Sequence, residues 1–185
     1  MSIRVLFYAI WVAWAVSWFV AAAWTSRTQK RPAFSVTYRI FTLVGAILLL
    51  DIVPLPRVTL WLAPNGVVLA LAAVTAAGFA FSWWARIHLG RLWSGAITRK
   101  ENHRVVDTGP YRIVRHPIYT GIIVASYATA AAQGTLAVFA GATLMALGWY
   151  IKARLEERFL RTELGAEAYD AYARKTAMLV PFARF

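Results

Sequence analysis

Two short stretches combine residue types able to do chemistry with long apolar runs beside them. The first is "GPYRIVRHPIYTG", residues 109–121. Pro117 has no backbone N–H, so it suits the first turn of a helix, and it steers His116 out of the helical region. That arrangement predicts unpaired first-turn amides at Ile118, Tyr119 and Thr120, a helix start that attracts a carboxylate or phosphate. Gly121 permits close approach of a neighbouring helix or a ligand. A plainer reading competes with this one. Arg112 and Arg115 would snorkel to lipid headgroups, and Tyr111 and Tyr119 would form an interfacial belt.

The second stretch is "KARLEERFL", residues 152–160. Lys152 and Glu156 are four apart and share one helix face, with Leu155 and Phe159 beside them. Glu157 points about a quarter-turn away. A carboxylate here suits a ribose diol or a ligand cation, whereas the bland reading is a solvated helix with ordinary ion pairs. Between the two lies "WARIHLGRLWSGAITRKENHRVVDTGPY", residues 84–111, with His88 and His103 and the small residues Gly90, Ser94, Gly95 and Ala96. Its His, Asp and Glu have no metal-ligand spacing, so no catalytic metal is expected. Asp51 is a costly carboxylate within or near the end of an apolar run. The prolines at 54 and 56 put it near the outer surface, in an interfacial role.

The elements that must position these residues follow from composition. The chain has 185 residues, enough for one domain, of which 60% are hydrophobic and 15% charged. Apolar blocks run from about Val5 to Trp24, Ile40 to Val53 (continuing, broken, past Pro54 and Pro56), Gly66 to Ala85, Ile118 to Ala132 and Leu136 to Ile151. "AAAW" near the end of the first block imitates a signal-cleavage site, but the block is long for a signal and reads as a retained helix. The last two blocks are joined only by "AAQGT" and read as a helical hairpin. The expected fold is an all-α integral membrane protein with five transmembrane helices and a cytoplasmic C-terminal amphipathic helix.

Net charge is +12, yet the placement of the cations speaks for lipid headgroups rather than nucleic acid. Eighteen of the twenty Lys and Arg residues lie on alternate connections and the tail. Under the positive-inside rule the N-terminus is outside and the C-terminus cytoplasmic. The expected location is a bacterial inner membrane or its equivalent. Both large polar segments, 86–117 and 152–185, then face one compartment. The absence of cysteine excludes disulfides, thiolate metal sites and a cysteine nucleophile.

"GPYRIVRHPIYTG" followed by "EERFL…LGAEAYDAY" resembles the isoprenylcysteine carboxyl methyltransferase family, to which phospholipid N-methyltransferases are related. The resemblance covers roughly residues 83–182. It leaves 1–64 without a signature and makes 65–185 a core of loop 86–117, hairpin 118–151 and tail 152–185. It implies S-adenosylmethionine as cofactor, with contacts at His103, Arg104, Val105, Val106, Tyr111, His116, Pro117, Ile118, Tyr119, Glu156 and Glu157, and more weakly near Thr98. It also implies a lipophilic acceptor drawn from the bilayer, a prenylcysteine-like carboxylate or a phospholipid amine. The implied catalytic set is Lys152, Arg154 and Glu156. Where the family has an arginine facing the substrate carboxylate, this chain has Lys152, which keeps the charge but not the two-pronged grip. A carboxylate acceptor needs no base. An amine or thiol needs its proton removed, a task open to His88, His103 or His116. Two other readings are a nicotinamide-dependent reductase of a sterol-like substrate and a non-catalytic membrane module.

Overall fold

The computed structural model describes residues 3–24, 28–30, 36–53, 55–94, 99–100 and 105–183. It is a helical bundle of α1 (Ile3–Ala21), α2 (Thr37–Leu49), α3 (Asn65–Leu89), α4 (Pro117–Gln133), α5 (Leu136–Leu164) and α6 (Ala166–Lys175). Two short strands that the sequence pattern did not predict, β1 (Thr28–Lys30) and β2 (Arg99–Lys100), pair antiparallel. Among the described residues, three helical stretches are long and apolar enough to cross a membrane: Ile3–Ala21, Asn65–Leu92 (α3 with the 3-10 turn that follows it) and Leu136–Glu163.

Helix ends follow local chemistry, and they correct several expected bounds. The second helix does not continue past the prolines. It stops at Leu49 after 13 residues, about 20 Å of rise, where Asp51 turns the chain with a positive φ of 49°. By contrast, α3 runs on to Leu89, where Gly90 at φ 57° stops it and donates its amide to the Arg86 carbonyl. Between α4 and α5 the left-handed Gly134 (φ 62°) donates to the Ala130 carbonyl, which makes the hairpin turn. Nothing breaks the helix at Ile151, so "KARLEERFL" continues the same rod as the apolar half of α5. That helix is 29 residues long and ends only at Gly165, φ 95°.

Small residues bring the helices together. A Cβ added at Gly121 would lie 2.2 Å from the Gly78 carbonyl oxygen and 2.4 Å from Ser82 Oγ, so the backbones of α3 and α4 nearly touch. Ser82 bridges the same seam by donating to the Ile118 carbonyl at 3.0 Å. A second seam joins α2 to α5, where a Cβ at Gly45 would meet the Met145 nitrogen at 2.6 Å and one at Gly141 the Leu49 nitrogen at 2.4 Å. Close backbone approach of this kind replaces the hydrophobic drive that lipid does not supply. Helix α1 is pinned to α4 where the Trp11 indole donates to Thr129 Oγ1 at 3.1 Å.

The two ends of the bundle differ. At one, Asp51 pairs with Arg4 (3.3 Å) and Arg57 (3.1 Å), and the Tyr8 hydroxyl donates to the Leu50 carbonyl. A strap between α2 and α3 bonds to the hairpin turn there, through Leu60 N–H to Gly134 O (2.7 Å) and Leu136 N–H to Val58 O (3.0 Å). At the other end the chain after α6 runs parallel to the approach to α4, with Ala177 bridged to Val114. Its carbonyls at Ala177 and Met178 accept the amides of Arg115 (2.8 Å) and His116 (3.1 Å). The Thr120 hydroxyl donates to Leu179 O at 2.7 Å. The expected open start of this helix is thereby corrected in part. The Thr120 amide bonds to the His116 carbonyl at 3.0 Å, and a backbone strap covers the two amides upstream of Pro117.

Candidate functional site

The two stretches singled out in the sequence meet at this strapped end. His116 sits just before α4, where Pro117 keeps it out of the helical region (φ −123°, ψ 62°), and Tyr119 follows in the first turn. Facing them, one turn of α5 presents Lys152, Glu156 and Glu157. The Tyr119 hydroxyl donates to Glu156 Oε2 at 2.6 Å. Glu157 accepts from Arg115 Nε at 2.6 Å and lies 3.2 Å from His116 Nε2. His116 Nδ1 is 3.9 Å from Glu156 Oε2, so the imidazole lies between the two carboxylates.

Aromatic faces complete the contact. The Tyr119 ring stacks on His116 (centroids 5.3 Å apart, 6° between planes) and on Trp149 (4.9 Å, 24°). The Lys152 ammonium, 5% exposed, lies 5.1 Å from the Tyr119 centroid, 5.2 Å from Trp149 and 5.8 Å from Tyr38. A cation among three ring faces is held by their quadrupoles. Beneath the loop, Tyr172 donates to the Tyr111 carbonyl at 2.7 Å. Burial, followed by the charge of Glu156, pushes the Tyr111 phenol above its ordinary value. Burial also raises Tyr169 and Tyr172, so all three remain hydroxyl donors at neutral pH.

These groups surround a cavity of about 390 Å³. Its wall combines polar groups at Tyr111, His116, Tyr119, Glu156, Tyr169 and Tyr172, here called the polar lobe, with the apolar side chains Trp14, Trp18, Phe19, Leu92 and Trp93, the apolar lobe. Among the described residues that line it, Glu156 is the one carboxylate.

The structure brings together Val105, Val106, Tyr111, His116, Pro117, Ile118, Tyr119, Lys152 and Glu156, all on the cavity wall. Glu157 stands behind that wall as the counter-charge of Arg115, with His116 Nε2 within 3.2 Å. Arg154 is exposed and does not line the cavity, because two residues beyond Lys152 is about 200° around the helix. His103, Arg104 and Thr98 lie outside the described residues. His88 stacks on Tyr111 (6.3 Å) and reaches Thr108 Oγ1 at 2.9 Å, away from the lining.

Sequence reasoning missed the tryptophan wall and the supporting role of Arg115. The 14/18 spacing of two α1 tryptophans on one helix face was the available signal. Arg115 is 11% exposed at its side chain and donates to Glu157, to Ala173 O at 3.0 Å and to Thr176 O. It therefore ties α6 and the strap to α5. Arg115→Met is expected to cost about 2 kcal/mol through lost charge-assisted hydrogen bonds, read as a lower melting temperature in detergent.

Comparisons with known proteins bear on this geometry. The model of the isoprenylcysteine carboxyl methyltransferase (ICMT) family matches residues 68–162. Methanethiol S-methyltransferase 1 of Bradyrhizobium diazoefficiens is 28% identical over 171 residues, 87% of this chain and 59% of that protein. The cobalt-zinc-cadmium resistance protein CzcN of Cupriavidus metallidurans is 34% identical over 95 residues, 50% of this chain and 43% of that protein. A protein of Oryza sativa subsp. indica named "Probable protein-S-isoprenylcysteine O-methyltransferase" is 30% identical over 118 residues, 63% of this chain and 56% of that protein. The chain thus spans from under half to about three-fifths of the length of these relatives.

Proposed function

The chain belongs to the isoprenylcysteine carboxyl methyltransferase family, and from that premise we propose that it transfers a methyl group from S-adenosylmethionine to a lipophilic acceptor at the membrane. The observation that carries this reading is the Tyr119–Glu156 hydrogen bond. It joins the two sequence stretches inside one cavity that is polar at one lobe and tryptophan-lined at the other.

The residues present fit the cofactor. Glu156, the tyrosine hydroxyls and the stacked rings suit a ligand bearing a diol, an aromatic base and a cation. Val105, Val106, Tyr111, His116, Pro117, Ile118 and Tyr119 would hold it together with Glu156. When bound, S-adenosylmethionine supplies a methyl group already activated by the sulfonium. The chain's own work is then to orient, desolvate and hold the acceptor in line. The rings of Trp14, Trp18 and Trp93 exclude water from the apolar lobe, and the Lys152 ammonium fixes a positive charge on the cavity wall beside Tyr119 and Trp149. A carboxylate acceptor would be oriented by that charge. A thiol acceptor, the class in the name of the Bradyrhizobium relative, would lie wholly against the indoles.

The same reading takes five helices through the bilayer, with α2 and α4 as short spans inside the bundle. The N-terminus is then outside, and α6 lies in the cytoplasm with the cavity mouth. Calorimetry on the purified protein tests the function. S-adenosylhomocysteine is expected to bind and NADPH not to. Binding of NADPH alone would favour a reductase, and a failure of both would end the enzymatic reading.

A further inference from the structure

Arg86 is the largest fully buried side chain of the bundle, 1% exposed, and among the described residues no carboxylate accompanies it. Its guanidinium donates to three carbonyls instead: Gly90 at 2.9 Å, Ala21 at 2.8 Å and Trp24 at 2.7 Å. Its carbon lies 4.2 Å from the Trp93 ring centroid and 5.2 Å from that of Trp24. One side chain from the last turn of α3 thus caps the end of α1 and pins the indole that follows the Gly90 break.

Helix α1 needs that hold. Its buried residues are Phe7 and Trp11, both upstream of the part that borders the cavity. The cavity-facing residues Trp14, Trp18 and Phe19, and Ala22 just past the helix end, belong to the part that packs less deeply. That part is secured by the Trp83 indole donating to Ser17 Oγ at 3.1 Å, by Trp18 edge contacts with Trp83 and Trp93 at 5.4 and 5.6 Å, and by Arg86. The α1 wall and the Trp93 wall of the apolar lobe share this single guanidinium.

We propose that Arg86 is a positioning residue that sets the width of the acceptor lobe by locking the end of α1 to α3. The assignment of that lobe to the acceptor rests on the methyltransferase reading, whereas the lock itself does not. Arg86 touches neither reacting atom; it acts through Trp93 and α1. A wall held this way admits a narrow apolar acceptor and keeps water out, and loosening it weakens acceptor capture without changing the polar lobe.

The chain has no cysteine, so a single Ala22→Cys reports on the wall through its rate of reaction with a water-soluble maleimide. With Arg86→Met added, that rate is expected to rise about tenfold, as an opening equilibrium shifts by one decade. The Kd for S-adenosylhomocysteine should stay within about twofold, and the KM for octanethiol as probe acceptor should rise about fivefold at unchanged kcat. Arg86→Lys keeps the charge but not the three-carbonyl fork and should fall between; it carries the test if the methionine variant does not fold. Unchanged labelling in both variants overturns the proposal. So does a loss of S-adenosylhomocysteine affinity that tracks the labelling, because that marks a general structural role. Failure of the parent chain to bind S-adenosylhomocysteine defeats the methyltransferase reading instead, and leaves the labelling contrast to decide the lock.

Discussion

Glu156→Ala is expected to weaken S-adenosylhomocysteine binding about 100-fold, as loss of a charged hydrogen-bonding group in a dry pocket costs up to about 3 kcal/mol. Three effects converge on that carboxylate. Among the described residues it is the one acid on the cavity wall, it accepts the Tyr119 hydroxyl at 2.6 Å, and it lies one turn from the buried Lys152 ammonium. Removal strands the phenol and leaves Lys152 without its nearby counter-charge. Glu156→Gln separates the roles, since the amide still accepts from Tyr119 but carries no charge. If the charge faces the sulfonium, Gln weakens S-adenosylmethionine more than S-adenosylhomocysteine; if it grips the ribose diol, both fall together. Tight binding retained by Glu156→Ala would put the cofactor elsewhere. Circular dichroism in the same detergent checks that the helices persist.

The largest effect on stability is expected at Gly121. A Cβ there has nowhere to go, with the Gly78 oxygen at 2.2 Å and Ser82 at 2.4 Å, and these neighbours are backbone or hydrogen-bonded. Gly121→Leu would force α3 and α4 apart along the seam that carries Ser82 to the Ile118 carbonyl. Overpacking a rigid contact costs about 1–3 kcal/mol and occasionally more, and here backbone meets backbone, so the upper end or beyond applies. The expected readout is loss of monodisperse protein on detergent extraction. Gly121→Ala should be milder but still measurably destabilised. Wild-type behaviour of the leucine variant would show that the seam opens freely. Because α4 carries Tyr119 at its start, a folded variant should also lose cofactor affinity.

Much of this was readable from residue spacing. The 152/156 spacing put Lys152 and Glu156 on one face, and that face does meet Tyr119. The same helical geometry carries Glu157 about 100° away and Arg154 about 200° away, but sequence alone leaves open which direction faces the cavity. The neighbours decide it: Arg115 pairs with Glu157 and His116 reaches the same oxygen, and Arg154 is left at the exposed surface. The place of "KARLEERFL" at the end of the fifth helix was legible, but the full 29-residue length of α5 was not, because hydropathy falls at Lys152 while helix propensity does not. Arg86 was counted among the cations that orient the chain. Nothing in its immediate sequence marks it as buried, since two of its three carbonyl partners lie 62 and 65 residues away. The strap at 176–179 was equally invisible, because backbone-to-backbone bonds leave no side-chain pattern.

That strap imposes an order on biosynthesis. The amides of Arg115 and His116 have as partners the carbonyls of Ala177 and Met178, and the Arg115 guanidinium relies on Ala173 and Thr176. Every helix of the bundle is therefore translated before the groups that finish this corner exist. At roughly 5–20 residues per second, α4 waits some seconds after its own synthesis for its final partners. The corner that carries Arg115 and His116 therefore completes its bonds only after residues 173–178 have been made.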